Sequence, residues 1–168
     1  MSTLQKLAGK ARHSVFYRWV LNRALDFTIP FNKPHHLKVL EMEPGYANVK
    51  LPFRKSNLNH VKSLHACALA TLCEYTTGLA LVGAISESEY RILLKNINIS
   101  FHYQGKSDAT GSFRLAPDFI TDKIIKPLEL TESVTHEFQV EVYDTHKNHI
   151  CTGVVTWQIK KWSKVKLK

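Results

Sequence analysis

Cysteine is scarce in this sequence and nothing about its placement suggests pairing. Cys67, Cys73 and Cys151 make up the whole set, with no CxxC among them. An odd count at such spacing excludes a disulfide framework and predicts reduced thiols in a reducing compartment, the cytoplasm. Metal-ligand spacing is missing too. The nine histidines, among them His35, His36, His60, His136, His146 and His149, form no HExxH or related pattern, so no metal is expected. Long apolar runs are also absent. The best candidate, residues 66–85, is interrupted by Glu74 and several threonines, so no transmembrane segment is expected.

Acids are missing from the start of the chain. None precedes Asp26, while Lys6, Lys10, Arg12, Arg18 and Arg23 alternate with Phe16, Trp19, Val20, Leu21 and Leu25. Such a stretch reads as a presequence or an interfacial amphipathic helix, or as an ordinary first helix laying its aromatic face on the domain. Ile29-Pro30 favours the second reading, because it ends the segment cleanly where alternation begins. The chain therefore divides into a helical arm, 1–30, and a main unit, 31–168, within one structural domain.

What is present is ordinary in amount. The hydrophobic fraction of 44% over 168 residues supplies a sizeable core. The net charge of +9 is spread thinly and thickens only in the arm and at Lys160, Lys161, Lys164, Lys166 and Lys168. No recognition helix or aromatic-and-basic RNA signature goes with it, so nucleic acid is not an expected partner. A basic surplus can also mean an anionic membrane surface or a phosphorylated or acidic substrate, and charge alone selects none of them.

Two periods organise the rest. Leu37 and Val39, then Ala47, Val49, Leu51 and Phe53, alternate about a Glu43-Pro44-Gly45 turn, which predicts a hairpin. A polar loop spans 54–59. Residues 64–81 then form a helix apolar on most faces, and such a helix is expected to be buried on most faces. Gly78 and Gly83 are expected to weaken its second half and mark its frayed end. Alternation returns at Ile97, Ile99, Phe101 and Tyr103, then at Ala109, Phe113 and Leu115 after a 104–108 turn. Residues 117–128 read as a helical crossover closed by Pro127. Phe138, Val140 and Val142, then Val155, Trp157 and Ile159, complete a last hairpin around a 144–148 turn. The expectation is an α+β hotdog arrangement: one long central helix wrapped by an antiparallel sheet of about six strands, plus an N-terminal helix.

The chemistry-bearing stretch runs from Asn59 to Glu74. Asn59 stands six residues before His65, His65-Ala66-Cys67-Ala68 follows, and Glu74 falls nine after His65. This resembles the signature of hotdog thioesterases of the phenylacetic-acid-pathway branch, where an Asn precedes His-Gly-Gly-Ala and an acid follows nine after the His. The helix rhythm of Asn, His, Ala-Leu-Ala, Glu and Gly-Leu is also similar to that of a hotdog family known as a domain of unknown function (DUF4442-like). The resemblance implies an acyl-thioesterase acting on acyl-CoA or acyl carrier protein thioesters. It implies no cofactor beyond the coenzyme A that is part of the substrate, and a homodimer or tetramer with composite sites. It makes Glu74, Ala66 and Asn59 the catalytic candidates, and His65, Cys67 and Gly78 the substrate-binding ones. The sequence departs from the pattern at both glycines, replaced by Ala66 and Cys67, and at Gly78, where some relatives carry a hydroxyl. These departures leave open an alternative, a non-catalytic hotdog protein that binds acyl-CoA or fatty acid.

The residues themselves support the same reading. Thioester hydrolysis needs a donor for the developing oxyanion and a carboxylate to attack or to activate water. A helix N-terminus offers free N–H groups, of which Ala66's is suitably placed, although Ser63 is positioned to cap the same donors. Glu74 among apolar neighbours is expected to have a raised pKa. The competing reading puts it at a surface or interface, satisfied by a Tyr or Lys. Ala66 and Glu74 lie about 12 Å apart along a helix, too far to serve one carbonyl. Two antiparallel copies of the helix, one per subunit, resolve this. Cys67 and Cys73 otherwise read as core filler, Asn59 as a loop residue and His65 as a hydrogen-bonding helix start.

Overall fold

The computed structural model describes residues 2–116 and 118–165. Two helices lead, α1 (Thr3–Ala11) and α2 (Val15–Thr28), followed by a 3-10 turn, Pro30–His35. Strands β1 (Lys38–Glu43) and β2 (Tyr46–Leu51) form the first hairpin. The long helix α3 (Ala66–Ala84) follows, then β3 (Tyr90–Phe101) and β4 (Ala109–Arg114). A π-helical turn, Ile120–Ile125, runs into α4 (Lys126–Leu130), and β5 (Val134–Asp144) with β6 (His149–Lys161) closes the fold. Among the described residues the strands make one antiparallel sheet in the order β1-β2-β4-β5-β6-β3. The sheet curls around α3, as the hotdog reading expected.

The two glycines expected to fray α3 do the opposite. The helix runs through both to Ala84. A Cβ at Gly83 would come 2.8 Å from the Glu43 carbonyl oxygen, and one at Gly78 would come 3.1 Å from the Trp157 ring. They are places where another element approaches the helix closely. The sheet side shows the same device, since a Cβ at Gly153 would meet the Cys73 side chain at 2.8 Å. Leu72 and Leu81 on α3 are fully buried, each contributing about 1.5–3 kcal/mol relative to exposure. By length and composition α3 could cross a bilayer, but 61% of its most apolar window is buried within the fold.

The other deviations have local causes. The first thirty residues hold two helices, because Ser2 and Ser14 each cap a separate start. Pro127 lies inside the first turn of α4, where a missing N–H is harmless, and so opens that helix instead of closing it. Pro117, expected to open the crossover, lies outside the described residues. Ile97 and Ile99 alternate on the half-buried side of β3, but the burial does not reach the strand's last residue. Phe101 is therefore half-exposed, and Tyr103 lies beyond the strand.

The two sheet edges are treated differently. Along β1, the Asn22 side chain accepts from the Val39 N–H at 2.7 Å and donates to its carbonyl at 3.1 Å. It stands in for a neighbouring strand at that residue. The arm is fixed further by Gln5 Nε2, which donates to the Val82, Gly83 and Ile85 carbonyls at the end of α3. Arg12 pairs with Glu43 at 2.8 Å. At the opposite edge β3 pairs with β6 only, and Leu93, Leu94 and Phe101 are exposed along it.

Candidate active site

The N-terminus of α3 is built by His65. Its backbone is extended, φ −69° and ψ 139°, and its Nδ1 accepts from the Cys67 N–H at 3.0 Å. An accepting Nδ1 places the proton of the neutral ring on Nε2. Ser63, expected as the competing cap, is engaged elsewhere: its N–H and hydroxyl both donate to Asn59 Oδ1, and Asn59 Nδ2 donates to Ser63 Oγ. Asn59 Oδ1 also accepts from Val61 N–H. The Asn59 side chain is thus committed to the turn before the helix. Among the described residues the Ala66 N–H meets no acceptor, so it remains free to donate outward. His65, Ala66 and Cys67 are all exposed. Cys67 is therefore no part of the core, whereas Cys73 and Cys151 are buried together, and this contact with burial pushes the Cys73 thiol far up.

Glu74 lies more than two turns further along α3, at the edge of a cavity of about 360 Å³. The cavity is bounded by Ala70, Thr71 and Tyr75 from α3, by Phe31 and Asn32 from the 3-10 turn, and by Leu94 and Ile97 from β3. No hydrogen-bond donor or cation among the described residues reaches the Glu74 carboxylate. Neither the Tyr nor the Lys of the competing reading holds it. Burial pushes its pKa from 4.5 up to about 7, which poises it as a base near neutrality. Tyr75 is raised as well, by burial first and then by the Asp26 and Glu74 carboxylates.

Beneath Glu74, Gly78 faces the sheet. A Cβ there would sit 3.1–3.2 Å from Trp157 and 4.0 Å from Glu74 Oε1. Trp157 Nε1 donates to Thr77 Oγ1 at 2.9 Å, and that hydroxyl bonds back to the Cys73 and Glu74 carbonyls. The hydroxyl next to the missing one is therefore spent on the floor of the site, and a side chain at Gly78 would displace the indole.

Within one chain, the structure does not bring the candidates together. Glu74 opens into its cavity, while His65, Ala66 and Cys67 lie at the other end of a continuous helical segment. Phe31, Asn32, Leu94 and Ile97 complete the surroundings of Glu74 and carry no sequence motif. They come from a 3-10 turn and a strand distant in the chain, and only the tertiary fold brings them to α3. Among the described residues no cluster of three or more His, Cys, Asp or Glu side chains is arranged around a metal position.

Solved structures share this architecture. A Pseudomonas aeruginosa protein described as a "Probable Thioesterase" superposes with a TM-score of 0.76 at 22% identity, over 84% of this chain and 94% of its own. A thioesterase from Staphylococcus aureus, solved as a point variant, gives 0.64 at 16% identity, over 78% and 98%. A Haemophilus influenzae thioesterase gives 0.63 at 12% identity, over 84% and 88%. At these identities the likeness is one of fold, and the fold is the hotdog. No curated protein matches the chain. The family model described as Domain of unknown function (DUF4442) matches residues 17–159, and with most of the chain inside that match the protein belongs to the DUF4442 family.

Proposed function

We propose that this protein is a homodimeric acyl-thioester hydrolase acting on acyl-CoA or acyl carrier protein thioesters in the cytoplasm. The observation that carries the reading is Glu74, a carboxylate without a partner among the described residues and with its pKa pushed up to about 7, opening into a largely apolar cavity on the central helix. Ionised Glu74 takes a proton from water as the water oxygen bonds to the thioester carbonyl carbon. The oxyanion is received by the Ala66 N–H of the second subunit. The C–S bond then breaks and the departing thiolate recovers the proton. Direct attack by the carboxylate, through an anhydride, uses the same two groups.

Support for the dimer comes from the unequal edges. Asn22 occupies the outward bonds of Val39 on β1, whereas among the described residues β3 keeps an unpaired rim beside the exposed Leu93, Leu94 and Phe101. Joining two copies there by a twofold axis extends the sheet and removes the edge. The three free thiols support a reducing compartment. The basic surplus suits the coenzyme's phosphates or an acidic carrier protein.

The test is complementation on an acyl-CoA panel with thiol detection. Glu74→Gln removes the base. Ala66→Pro removes only the N–H, because Pro is welcome at the first helical position and His65 already has the extended backbone that Pro requires before it. Each variant alone should be inactive. An equimolar mixture, refolded together, should recover about a quarter of wild-type activity, since half the dimers carry one intact site of two. An inactive mixture, with wild type active, refutes the composite site. Saturable acyl-CoA binding without turnover in wild type would instead support the silent binder, which the replaced glycines favour.

A further inference from the structure

Helix α2 is apolar on two opposite sides. Leu21 and Leu25 are buried, at 1% and 5% exposure, and this accounts for its packing on the domain. The other side carries Val15, Phe16, Trp19 and Phe27, exposed by 79%, 65%, 60% and 88%. Phe16 stacks on Trp19 at 6.2 Å and meets the Tyr17 ring edge-on at 5.7 Å. An exposed apolar cluster of this size, with Arg23 set one turn from both Trp19 and Phe27, is a place where something docks.

Charge identifies the occupant. Residues 2–35 hold six Lys and Arg against one acid, Asp26. Among the described residues Lys6, Lys10 and Lys33 form no ion pair. Arg23 pairs with Asp26, and Lys10 lies 5.2 Å from the Tyr17 ring. A second copy seated on this face would bring two cationic arms together and be repelled. An anionic lipid surface meets both features, with aromatic rings at headgroup depth and cations against the phosphates.

We propose that the outward face of α2, through Val15, Phe16, Trp19 and Phe27 with its flanking cations, docks the protein on an anionic lipid bilayer. The chain leads directly from this helix to the Glu74 cavity. The 3-10 turn directly after α2 supplies Phe31, 70% exposed, and Asn32 to the cavity wall. Docking therefore sets the cavity beside the layer in which long acyl chains reside. This last consequence rests on the hydrolase reading; the docking does not.

Co-sedimentation with vesicles tests it without any turnover. Wild type should sediment with vesicles of phosphatidylcholine containing about 30% phosphatidylglycerol, and much less with phosphatidylcholine alone. Raising salt from about 0.05 M to about 0.5 M should weaken binding severalfold. Phe16→Ser with Trp19→Ser should abolish it, as should Phe27→Ser with Val15→Ser; circular dichroism and melting temperature should match wild type, since these side chains are exposed. No sedimentation by wild type, equal sedimentation with both vesicle types, or undiminished sedimentation of both double variants would overturn the proposal. So would a fall in molar mass of a double variant by light scattering, with no vesicle binding by wild type, which would assign the face to a protein contact. Each of these failures leaves the hydrolysis assay unaffected.

Discussion

Replacing Glu74 with Gln should stabilise the protein at alkaline pH while removing its activity. The carboxyl pKa rises from 4.5 to about 7 on folding because burial disfavours its charged form. Below about pH 4.5 both folded and unfolded chains hold the proton, and the group is neutral in the balance. Between there and about pH 7 the unfolded chain releases its proton and the folded chain keeps it, so wild-type stability falls as pH rises. At about 1.4 kcal/mol per pKa unit the loss reaches roughly 3 kcal/mol and then levels off. In a dimer the positive end of the partner's α3 acts the other way, so this figure is an upper bound. The amide of Gln has the same shape and no titration. Wild type and Glu74→Gln should therefore melt together near pH 4.5 and separate by about 6–12 °C near pH 8, at roughly 2–4 °C per kcal/mol for a chain of this size. Calorimetry or urea titration across that range, with the variant subtracting every other titrating group, measures the difference. A gap that does not change with pH, or one in which the variant is less stable at pH 8, would refute the account of a desolvated, unpartnered carboxylate.

The activity should follow the opposite limb of the same titration: kcat/KM should rise with pH through about 7, as Glu74 ionises, and a flat profile between pH 5.5 and 8.5 would remove it as the base. Gly153→Ala should destabilise by about 1–3 kcal/mol, because its Cβ would meet Cys73 at 2.8 Å; an unchanged melting temperature would show that α3 can move off β6. Leu94→Arg places charge on the open rim of β3, and light scattering should show monomers without hydrolytic activity; an active monomer would sink the composite site. Gln5→Ala removes the donor to the carbonyls at the end of α3 and should cost about 0.5–1.5 kcal/mol in urea unfolding.

The sequence by itself determined the fold class, because the two periods are local properties. Alternation at Val39, Val49, Val140 and Ile159 needs only one buried face per strand, and an apolar helix with one acid needs only a place to be buried. The spacing of His65, Ala66 and Glu74 was legible for the same reason, since all three lie on one helix. Glycine was misread, because a local rule treats Gly78 and Gly83 as helix breakers. Their purpose is visible only when Trp157 and the Glu43 carbonyl are seen against them. The role of Ser63 was likewise decided by Asn59, whose side chain reached it before the helix did. The tertiary fold brought Leu94 and Ile97 to Glu74, Asn22 took the outward bonds of Val39 on β1 while β3 was left open, and the 3-10 turn added Phe31 and Asn32 to the site. Those contacts join residues tens of positions apart, and no pattern along the chain encodes which strand becomes the neighbour of which. Propensity and period act over a few residues; partnership is set by how the whole surface is buried, and so it belongs to the tertiary structure.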